Sequence, residues 1–368
     1  MQKNSSNLIA YLCSSVSWGG LEMNQLKNAL WMQERGHDVL MICKINSPVA
    51  ESCISSGIKI AYIDDHRKYY DFKAGKKLAT ILNQFLITHL IIRDTRDLSV
   101  SVIAKRKADH KVHLSYFMEM QMGVSKKNLF HTIRYKGLDA WCCPLNWLSD
   151  QVKTMTRFDK NKIHFIPSAL DLSRFSNNVS KETARNILEL PQNQIAIGLS
   201  GRFDPFKGHL LLLEAINQLE NKNINICFLG EPTKDSGQEY TEQINQTIEK
   251  YNLTDRVFIR PFRKDVEVFY AAIDLFIMAS KAETFGMVTI EAMASGVPVI
   301  ASNGGGSPEI LGEGKFGRLF EPLNAKILSE QIKEFLEQEK IDTSILLDAV
   351  SIYDHRKVCE KVESVLGL

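Results

Sequence analysis

No stretch of the 368-residue chain holds the roughly eighteen consecutive apolar residues that a membrane-spanning helix requires. The apolar run within Met1 to Leu12 is also too short for the apolar core of a signal peptide, so we expect neither a leader nor a spanning anchor. Asp-x-Asp triplets are absent, as are His and Cys residues at metal-ligand spacing. Nothing visible in the sequence therefore requires a divalent metal.

The cysteine pattern offers no pairing. The seven residues are an odd number without C-x-x-C spacing, and several lie in apolar, strand-like runs. We expect buried, reduced thiols and a cytoplasmic protein. Peripheral attachment to the inner face of the cell membrane is compatible with that location. The seven are Cys13, Cys43, Cys53, Cys142, Cys143, Cys227 and Cys359.

The net charge of +2 conceals an asymmetry between the two halves. Residues 1–170 hold 24 Lys and Arg against 14 Asp and Glu, or +10, whereas the remainder holds 21 against 29, or −8. Much of the basic excess lies in pairs and triplets between His66 and Lys162. Solvated helix faces explain any one pair, but the set favours an anionic partner for the first half: a bilayer surface or a lipid-phosphate acceptor, ahead of nucleic acid.

Short apolar runs alternate with helical patterns along the chain, which predicts parallel sheets covered on both faces. An apolar content of 44% over this length allows two domains, each with its own core. The predicted strands are 8–12, 38–43, 58–63, 90–93, 112–117, 141–144 and 163–166 in the first half, and 195–200, 224–229, 257–259, 275–278, 297–301 and 317–320 in the second.

One segment sets two carboxylates eight positions apart around a glycine. The apolar run 273–279 predicts a buried strand, and 287–294 has helical spacing that stops before Gly296. A helix start at the carboxyl end of a strand binds anions, and Gly286 there lets the backbone approach a phosphate. Glu291 is placed to accept from the diol of a ribose, and Glu283 from a sugar; a helix cap and a solvated carboxylate are the alternatives.

This segment resembles the E-x7-E signature of retaining glycosyltransferases of the GT-B class, glycosyltransferase family 4 (group 1). The run Pro298 to Ile310 is similar to the strand and glycine-rich loop that follow in that family. The resemblance implies an α/β fold with two facing Rossmann-like domains, parallel sheets, and a C-terminal helix that crosses back to the N-terminal domain. It places an acceptor-binding domain at 1–170 with 352–368 and a nucleotide-sugar-binding domain at 171–351.

Two further motifs resemble the same family. Gly201-Arg202 to Lys207-Gly208 is similar to its G-R-x-x-x-x-K-G motif, which implies that Arg202 and Lys207 clamp the diphosphate as its negative charge grows. Gly19-Gly20 resembles the loop that faces the donor phosphate and the acceptor, with a plain tight turn as the alternative. It is not a dinucleotide fingerprint, because no G-x-G-x-x-G occurs there.

The strand that ends at Phe117 is followed by Met118 and Glu119, where many relatives have a histidine that faces the cleft. Glu119 is the candidate for that role, and an exposed loop carboxylate is the alternative. By resemblance, the catalytic residues are Arg202, Lys207, Glu283 and Glu119. The expected donor-binding residues are Gly19, Gly20, Arg202, Lys207, Arg260, Phe262, Glu283, Thr284, Phe285, Gly286, Met287, Val288 and Glu291. The expected acceptor-binding residues are Glu22 and Glu119.

The resemblance implies a retaining hexosyltransferase that moves a sugar from a UDP- or GDP-sugar to an acceptor hydroxyl, without a cofactor or a metal. A glycan or lipid-linked acceptor in bacterial surface polysaccharide, lipopolysaccharide or glycolipid synthesis is the expected context, with no nucleic acid as partner. A sugar-nucleotide epimerase or phosphorylase of similar fold, and a non-catalytic sugar-nucleotide-binding protein, are the alternatives. The donor base, the sugar, the linkage and the oligomeric state do not follow from the sequence.

Overall fold

The structure is a computed structural model that describes residues 7–176, 179–219, 221–232, 237–337 and 343–368. The chain divides into two compact units. Unit 1 comprises Met1–Ala169 and Tyr353–Leu368, and unit 2 comprises Leu170–Ile352. The roles predicted for the two domains, acceptor binding and donor binding, stay predictions.

Unit 1 is built on a parallel sheet with the strand order β3-β2-β1-β4-β5-β6-β7. Its strands are rich in Ile, Leu and Val and mostly buried, because helices cover both faces of the sheet. The strands are β1 (Leu8–Cys13), β2 (Asp38–Cys43), β3 (Lys59–Tyr62), β4 (His89–Ile92), β5 (His113–Phe117), β6 (Ala140–Cys143) and β7 (Ile163–Phe165). The helices between them are α1 (Gly20–Glu34), α2 (Pro48–Ser56), α3 (Phe72–Gln84), α4 (Leu98–Lys107), α5 (Leu129–Tyr135) and α6 (Asn146–Met155).

Unit 2 repeats this plan with a parallel sheet of strand order β10-β9-β8-β11-β12-β13. Every residue of its strand at 224–229 is buried, as expected for a strand covered on both faces. The strands are β8 (Ile195–Ser200), β9 (Ile224–Leu229), β10 (Val257–Arg260), β11 (Leu275–Met278), β12 (Val299–Ser302) and β13 (Arg318–Phe320). The helices are α7 (Ser173–Ser176), α8 (Lys181–Ile187), α9 (His209–Asn217), α10 (Gly237–Lys250), α11 (Val266–Ala272), α12 (Met287–Ala294), α13 (Ser307–Ile310), α14 (Ala325–Glu337) and α15 (Ser344–Val350).

The last helix, α16 (His355–Leu366), belongs to unit 1. It buries Val358, Cys359 and Val362 in the core that β1, β2 and α1 share. Glu363 on its outer side pairs with Arg35 at 2.6 Å, and this bond is the main reason why the pKa of Glu363 falls to about 2. The predicted return of the C-terminal helix to the first domain is confirmed.

The predicted α/β class with two Rossmann-like parallel sheets is also confirmed, with strand ends shifted by one or two residues. All seven cysteines are free and buried, in agreement with the expectation of reduced thiols. Across the residues that the structure describes, no helix is both long and apolar enough to cross a membrane. Residues 1–6, on which part of the expectation about a leader depends, lie outside that range.

Candidate active site

Several glycine-containing loops meet at the carboxyl edge of the unit 2 sheet. The strands β8 and β11 are neighbours, and β12 lies beside β11. The loops 201–208, 279–286 and 303–306 that follow these strands therefore share one edge, where α9 and α12 also begin. In parallel sheets covered on both faces, ligands bind at this edge.

Lys207 and Glu283 come from two of these loops and form an ion pair. Lys207 Nζ lies 2.8 Å from Glu283 Oε2, and the two side chains are 28% and 21% exposed. The Ser280 hydroxyl donates to the same carboxylate oxygen over 3.4 Å. Because neither charged group is sealed in the core, the pair is open to a ligand.

The backbone around Glu283 is fixed by the neighbouring glycine-rich loop. Glu283 forms an isolated parallel bridge with Gly305, and its carbonyl accepts from the Gly306 N–H over 2.7 Å. The Ser302 hydroxyl donates to the Ser280 carbonyl at the base of the same loop. These contacts hold the Glu283 carboxylate at the sheet edge without using its side chain.

Two glycines are required where the helices begin. Gly208, which precedes α9, has a φ of 80°, and a Cβ there would lie 2.6 Å from that of Ala279. Gly286, which precedes α12, has a φ of 90°. L side chains rarely adopt this conformation, so both turns depend on glycine, and the first also packs the β8 loop against the end of β11.

Glu291 lies within α12, where a buried tyrosine orients it. The Tyr270 hydroxyl donates to Glu291 Oε2 over 2.9 Å and contacts the Val288 carbonyl at 3.1 Å. Burial, and then the Glu291 carboxylate, raise the pKa of Tyr270 well above its ordinary value. The hydroxyl therefore stays protonated and remains a donor to Glu291.

The other predicted donor-binding residues are distributed along the same edge. Thr284, Met287 and Val288 are half-buried around the start of α12, and Phe285 is buried. Arg202 is exposed in the loop that carries Lys207.

Arg260 and Phe262 lie at the end of β10, two strands away from β8. The Arg260 guanidinium donates to the Leu188 carbonyl over 2.7 Å and to Glu189 Oε2 over 3.1 Å. It thus ties the end of β10 to the residues after α8, whereas Phe262 is exposed. The donor-binding roles of both residues stay predictions.

In unit 1, Gly19 and Gly20 lie where α1 begins. The Gly19 N–H donates to the Glu22 carboxylate over 3.0 Å, so Glu22 caps the helix. Gly19 has extended backbone, and a Cβ on Gly20 would have no neighbour within 4 Å among the described atoms. The backbone conformation alone therefore does not demand this glycine pair.

Glu119 is not the exposed loop carboxylate that the alternative interpretation expected. Its side chain is 12% exposed and pairs with the buried Arg93, whose guanidinium lies 5.1 Å from the Phe117 ring centre. Burial raises the pKa of Glu119, although Arg93 opposes the shift, as does a hydrogen bond with Asn24. The alternative was wrong because Arg93, at the end of the neighbouring strand, draws the carboxylate inward.

The sequence interpretation missed a buried polar network in unit 1. Asp97, just before α4, accepts from the Ser14 N–H and hydroxyl and lies 3.0 Å from His66 Nε2. Burial alone would lower the pKa of His66, but the hydrogen bond and charge of Asp97 raise it above its ordinary value. The network ties together the loops after β1, β3 and β4. No spacing rule marks it, because Ser14 and Asp97 are 83 positions apart.

His209, the first residue of α9, was also missed. Its side chain is fully buried among the rings of Phe203, Phe228 and Tyr240. Burial lowers the pKa of His209 to about 3, so the imidazole is neutral at physiological pH. It adds no charge beside Lys207.

Among the described residues, no cluster of three or more His, Cys, Asp or Glu side chains has metal-binding geometry.

Residues 180–345 match the family described as glycosyl transferases group 1. This match spans most of unit 2 and less than half of the chain. The matched region contains the loops, the ion pair and the two carboxylates described above for unit 2.

A curated relative is also named as a glycosyltransferase. The D-inositol 3-phosphate glycosyltransferase of Mycolicibacterium smegmatis is 28% identical over 193 residues, which cover 52% of this chain and 44% of that protein. The chain thus spans about half the length of the curated relatives that it matches.

Two solved structures share the fold over almost the whole chain. A glycosyltransferase from Rickettsia africae superposes with a TM-score of 0.88 at 20% identity, covering 98% of both chains. Anabaena Alr3699/HepE in complex with UDP and glucose has a TM-score of 0.80 at 20% identity, covering 98% of this chain and 99% of that one. At such identities the likeness establishes the fold, which is the GT-B type with two Rossmann-like units.

Proposed function

We propose that this protein is a group 1 glycosyltransferase that transfers a sugar from a nucleotide-diphosphate sugar to an acceptor hydroxyl, with retention at the anomeric carbon. The observation that carries the proposal is the partly exposed Lys207–Glu283 pair, at 2.8 Å, on a sheet edge where two helices begin. In this proposal the lysine meets a phosphate and the carboxylate beside it meets sugar hydroxyls. The Anabaena relative, solved with UDP and glucose, supports a UDP-sugar as the first donor to test.

The donor is assigned group by group. Lys207 and Arg202 meet the diphosphate, and the first turns of α9 and α12 turn their N–H groups toward the same edge. Glu291 accepts from the ribose diol, and Glu283 accepts from hydroxyls of the transferred sugar. Because Lys207 already contacts Glu283, donor binding replaces part of that ion pair with phosphate contacts.

The transfer breaks the bond between the anomeric carbon and the donor phosphate oxygen and forms a bond from that carbon to the acceptor oxygen. The proton leaves the acceptor hydroxyl for the released phosphate, on the same face. Charge grows on the diphosphate, so Lys207 and Arg202 stabilise the transition state more than the ground state. Family resemblance supports this mechanism.

We place the acceptor on unit 1, near Gly19, Gly20, Glu22 and Glu119. The glycine pair supports this, since neither backbone conformation nor crowding accounts for it. Glu22 and Glu119 hold two adjoining loops through the α1 cap and the Arg93 pair. A glycan or lipid-linked acceptor of a bacterial surface polysaccharide, lipopolysaccharide or glycolipid fits the basic first half, with the protein at the cytoplasmic face of a membrane.

We further propose that no divalent metal is needed, because two cationic side chains and two helix starts already supply positive charge. EDTA should then leave transfer unchanged, with added Mg²⁺ as the comparison. A loss of activity in EDTA that Mg²⁺ restores would contradict this part of the proposal.

The first experiment is a thermal-stability screen with UDP-, GDP- and ADP-sugars, since a ligand at 100 times its Kd adds about 2.7 kcal/mol. The stabilising sugar is then incubated, in labelled form, with lipid and glycan acceptors, and the linkage is read by NMR. Label on the acceptor with a retained anomeric configuration is expected. Conversion of the donor without acceptor would favour an epimerase, and tight binding without turnover a non-catalytic binding protein.

A further inference from the structure

An exposed apolar patch lies on unit 1 where α3 and α5 begin. Phe72 is 59% exposed, Leu129 71%, and Tyr69 and Phe130 40% each. The ring centres of Tyr69 and Tyr70 lie 5.2 Å and 4.9 Å from that of Phe130 in edge-to-face contacts. We call these five residues the α3–α5 patch.

The rings of the α3–α5 patch are held in place although they face solvent. The Tyr70 hydroxyl donates to the Phe130 carbonyl over 3.2 Å, which ties the two segments together. Arg134 is buried beneath, with its guanidinium 4.7 Å from the Tyr69 ring centre and bonded to the Thr95 carbonyl at 2.9 Å. The exposed surface is therefore preformed.

The two segments that carry the patch are strongly basic. Residues 66–77 hold five Lys and Arg against one acid, Asp71, and residues 124–136 hold four Lys and Arg and no acid. Asp71 is already engaged, because its carboxylate accepts the Ala74 N–H over 3.0 Å and caps α3. Lys68 lies beside the patch, with Nζ 5.8 Å from the Tyr69 ring centre.

We propose that the α3–α5 patch docks unit 1 on an anionic phospholipid bilayer. Tyrosine and phenylalanine side chains settle at the boundary between headgroups and acyl chains, and lysines around them contact lipid phosphates. Tyr69 and Tyr70 pack edge to face against Phe130, Tyr70 stacks on Phe72, and the aliphatic Leu129 precedes Phe130 in the chain. This mixture of ring edges and an aliphatic side chain suits acyl chains better than the flat, open ring face that binds a sugar. The segments around the patch keep an excess of positive charge, since Asp64 and Asp65 beside them are already paired with Lys77 and Lys44, and this excess matches a diffuse negative surface. This inference does not depend on the proposed transfer reaction.

Vesicle sedimentation of the full chain tests the proposal. Wild type should sediment with phosphatidylcholine vesicles that contain phosphatidylglycerol, sediment much less with pure phosphatidylcholine, and be released by high salt because the Debye length shrinks. K126Q/K127Q should weaken binding to the anionic vesicles about 30-fold. F72S/F130S should weaken it on the order of tenfold or more, and the loss should persist at every salt concentration.

Matched controls lie on other surfaces. R106Q/K107Q removes two exposed charges from the far end of α4, and I345S/L347S removes two exposed aliphatic side chains from unit 2. Circular dichroism checks the folding of each variant, and neither control should change sedimentation. Equal losses in controls and patch variants, or no preference of wild type for anionic vesicles, would overturn the proposal. Binding of heparin that fails in the patch variants, without vesicle binding, would reassign the patch to anionic glycans.

Discussion

The carboxyl edges of the two sheets have the same strand order around their central strands, β1 and β8, but treat charge in opposite ways. In unit 1 two pairs at this edge, His66 with Asp97 and Arg93 with Glu119, are buried and neutralised internally, while Arg96 and Asp65 pair at the surface. In unit 2 the corresponding charges, Lys207 and Glu283, remain accessible. Burial of an ion pair serves to fix loops, whereas an accessible pair leaves its charges available to a ligand.

Replacement of Asp97 should have the largest effect. Asp97→Ala leaves the fully buried His66 without its carboxylate and frees the Ser14 donors, which should cost about 3–5 kcal/mol of unit 1 stability. Hydrogen exchange followed by mass spectrometry reads this in peptides of β1 and β4, with unit 2 peptides as the internal reference. Equal loss of protection in both units would contradict a role confined to unit 1.

The pH dependence of unit 1 stability supplies the control for Asp97→Ala. The pKa of His66 is raised in the folded state, so its pairing contributes stability that is fully present below about 6.5, the unfolded value, and is lost as pH rises through the folded pKa. Unit 1 of the wild type should thus lose protection as the pH rises above this value. Asp97→Ala should lack that dependence, and a wild type whose stability is flat over this range would argue against the assigned pair.

The next largest effect is expected for the accessible cations of unit 2, Lys207 and Arg202. Lys207→Ala and Arg202→Ala should each lower turnover roughly 10²-fold or more, because each removes a cation from the growing diphosphate charge. Steady-state kinetics with the identified donor measures this, and Lys222→Ala, an exposed lysine of the same unit, is the control. Near-normal turnover in both site variants would remove the two residues from the catalytic machinery.

Local patterns predicted where the candidate site residues of unit 2 lie better than they predicted the buried polar groups of unit 1, for a physical reason. Lys207, Gly208, Glu283 and Gly286 lie in loops directly after strands, so short motifs carry both residue type and position. The burial of Asp97 depends on contacts with distant segments, and its sequence surroundings, with Asp94 and Arg96 nearby, are typical of a surface loop. Local spacing does not encode such contacts, which is why the buried form of Glu119 was also missed.

Replacement of Glu291 and replacement of Glu283 should weaken the binding of different ligands. Glu291→Ala should weaken UDP and UDP-sugar alike, by roughly tenfold or more, since a hydrogen bond to a charged group contributes about 1.5–3 kcal/mol. Glu283→Ala should weaken only the sugar-bearing donor, because free UDP still meets Lys207, now released from its partner. Calorimetry with both ligands decides, and equal losses for both ligands in both variants would mean that the roles are misassigned.

The smallest expected effect concerns Tyr270. This buried side chain shows that unit 2, like unit 1, uses a buried group to fix a charged one, here the more accessible Glu291. Tyr270→Phe removes the hydroxyl that bonds Glu291 Oε2 at 2.9 Å but keeps the ring in the core. If Glu291 binds the ribose diol, UDP affinity should fall about fivefold, on the scale of one hydrogen bond. The loss should vanish with 2′,3′-dideoxy-UDP, which offers no diol, and Tyr251→Phe should leave both affinities unchanged. A variant that loses both ligands equally would give Tyr270 a structural role only, whereas a wild type that binds neither would instead count against the proposed function.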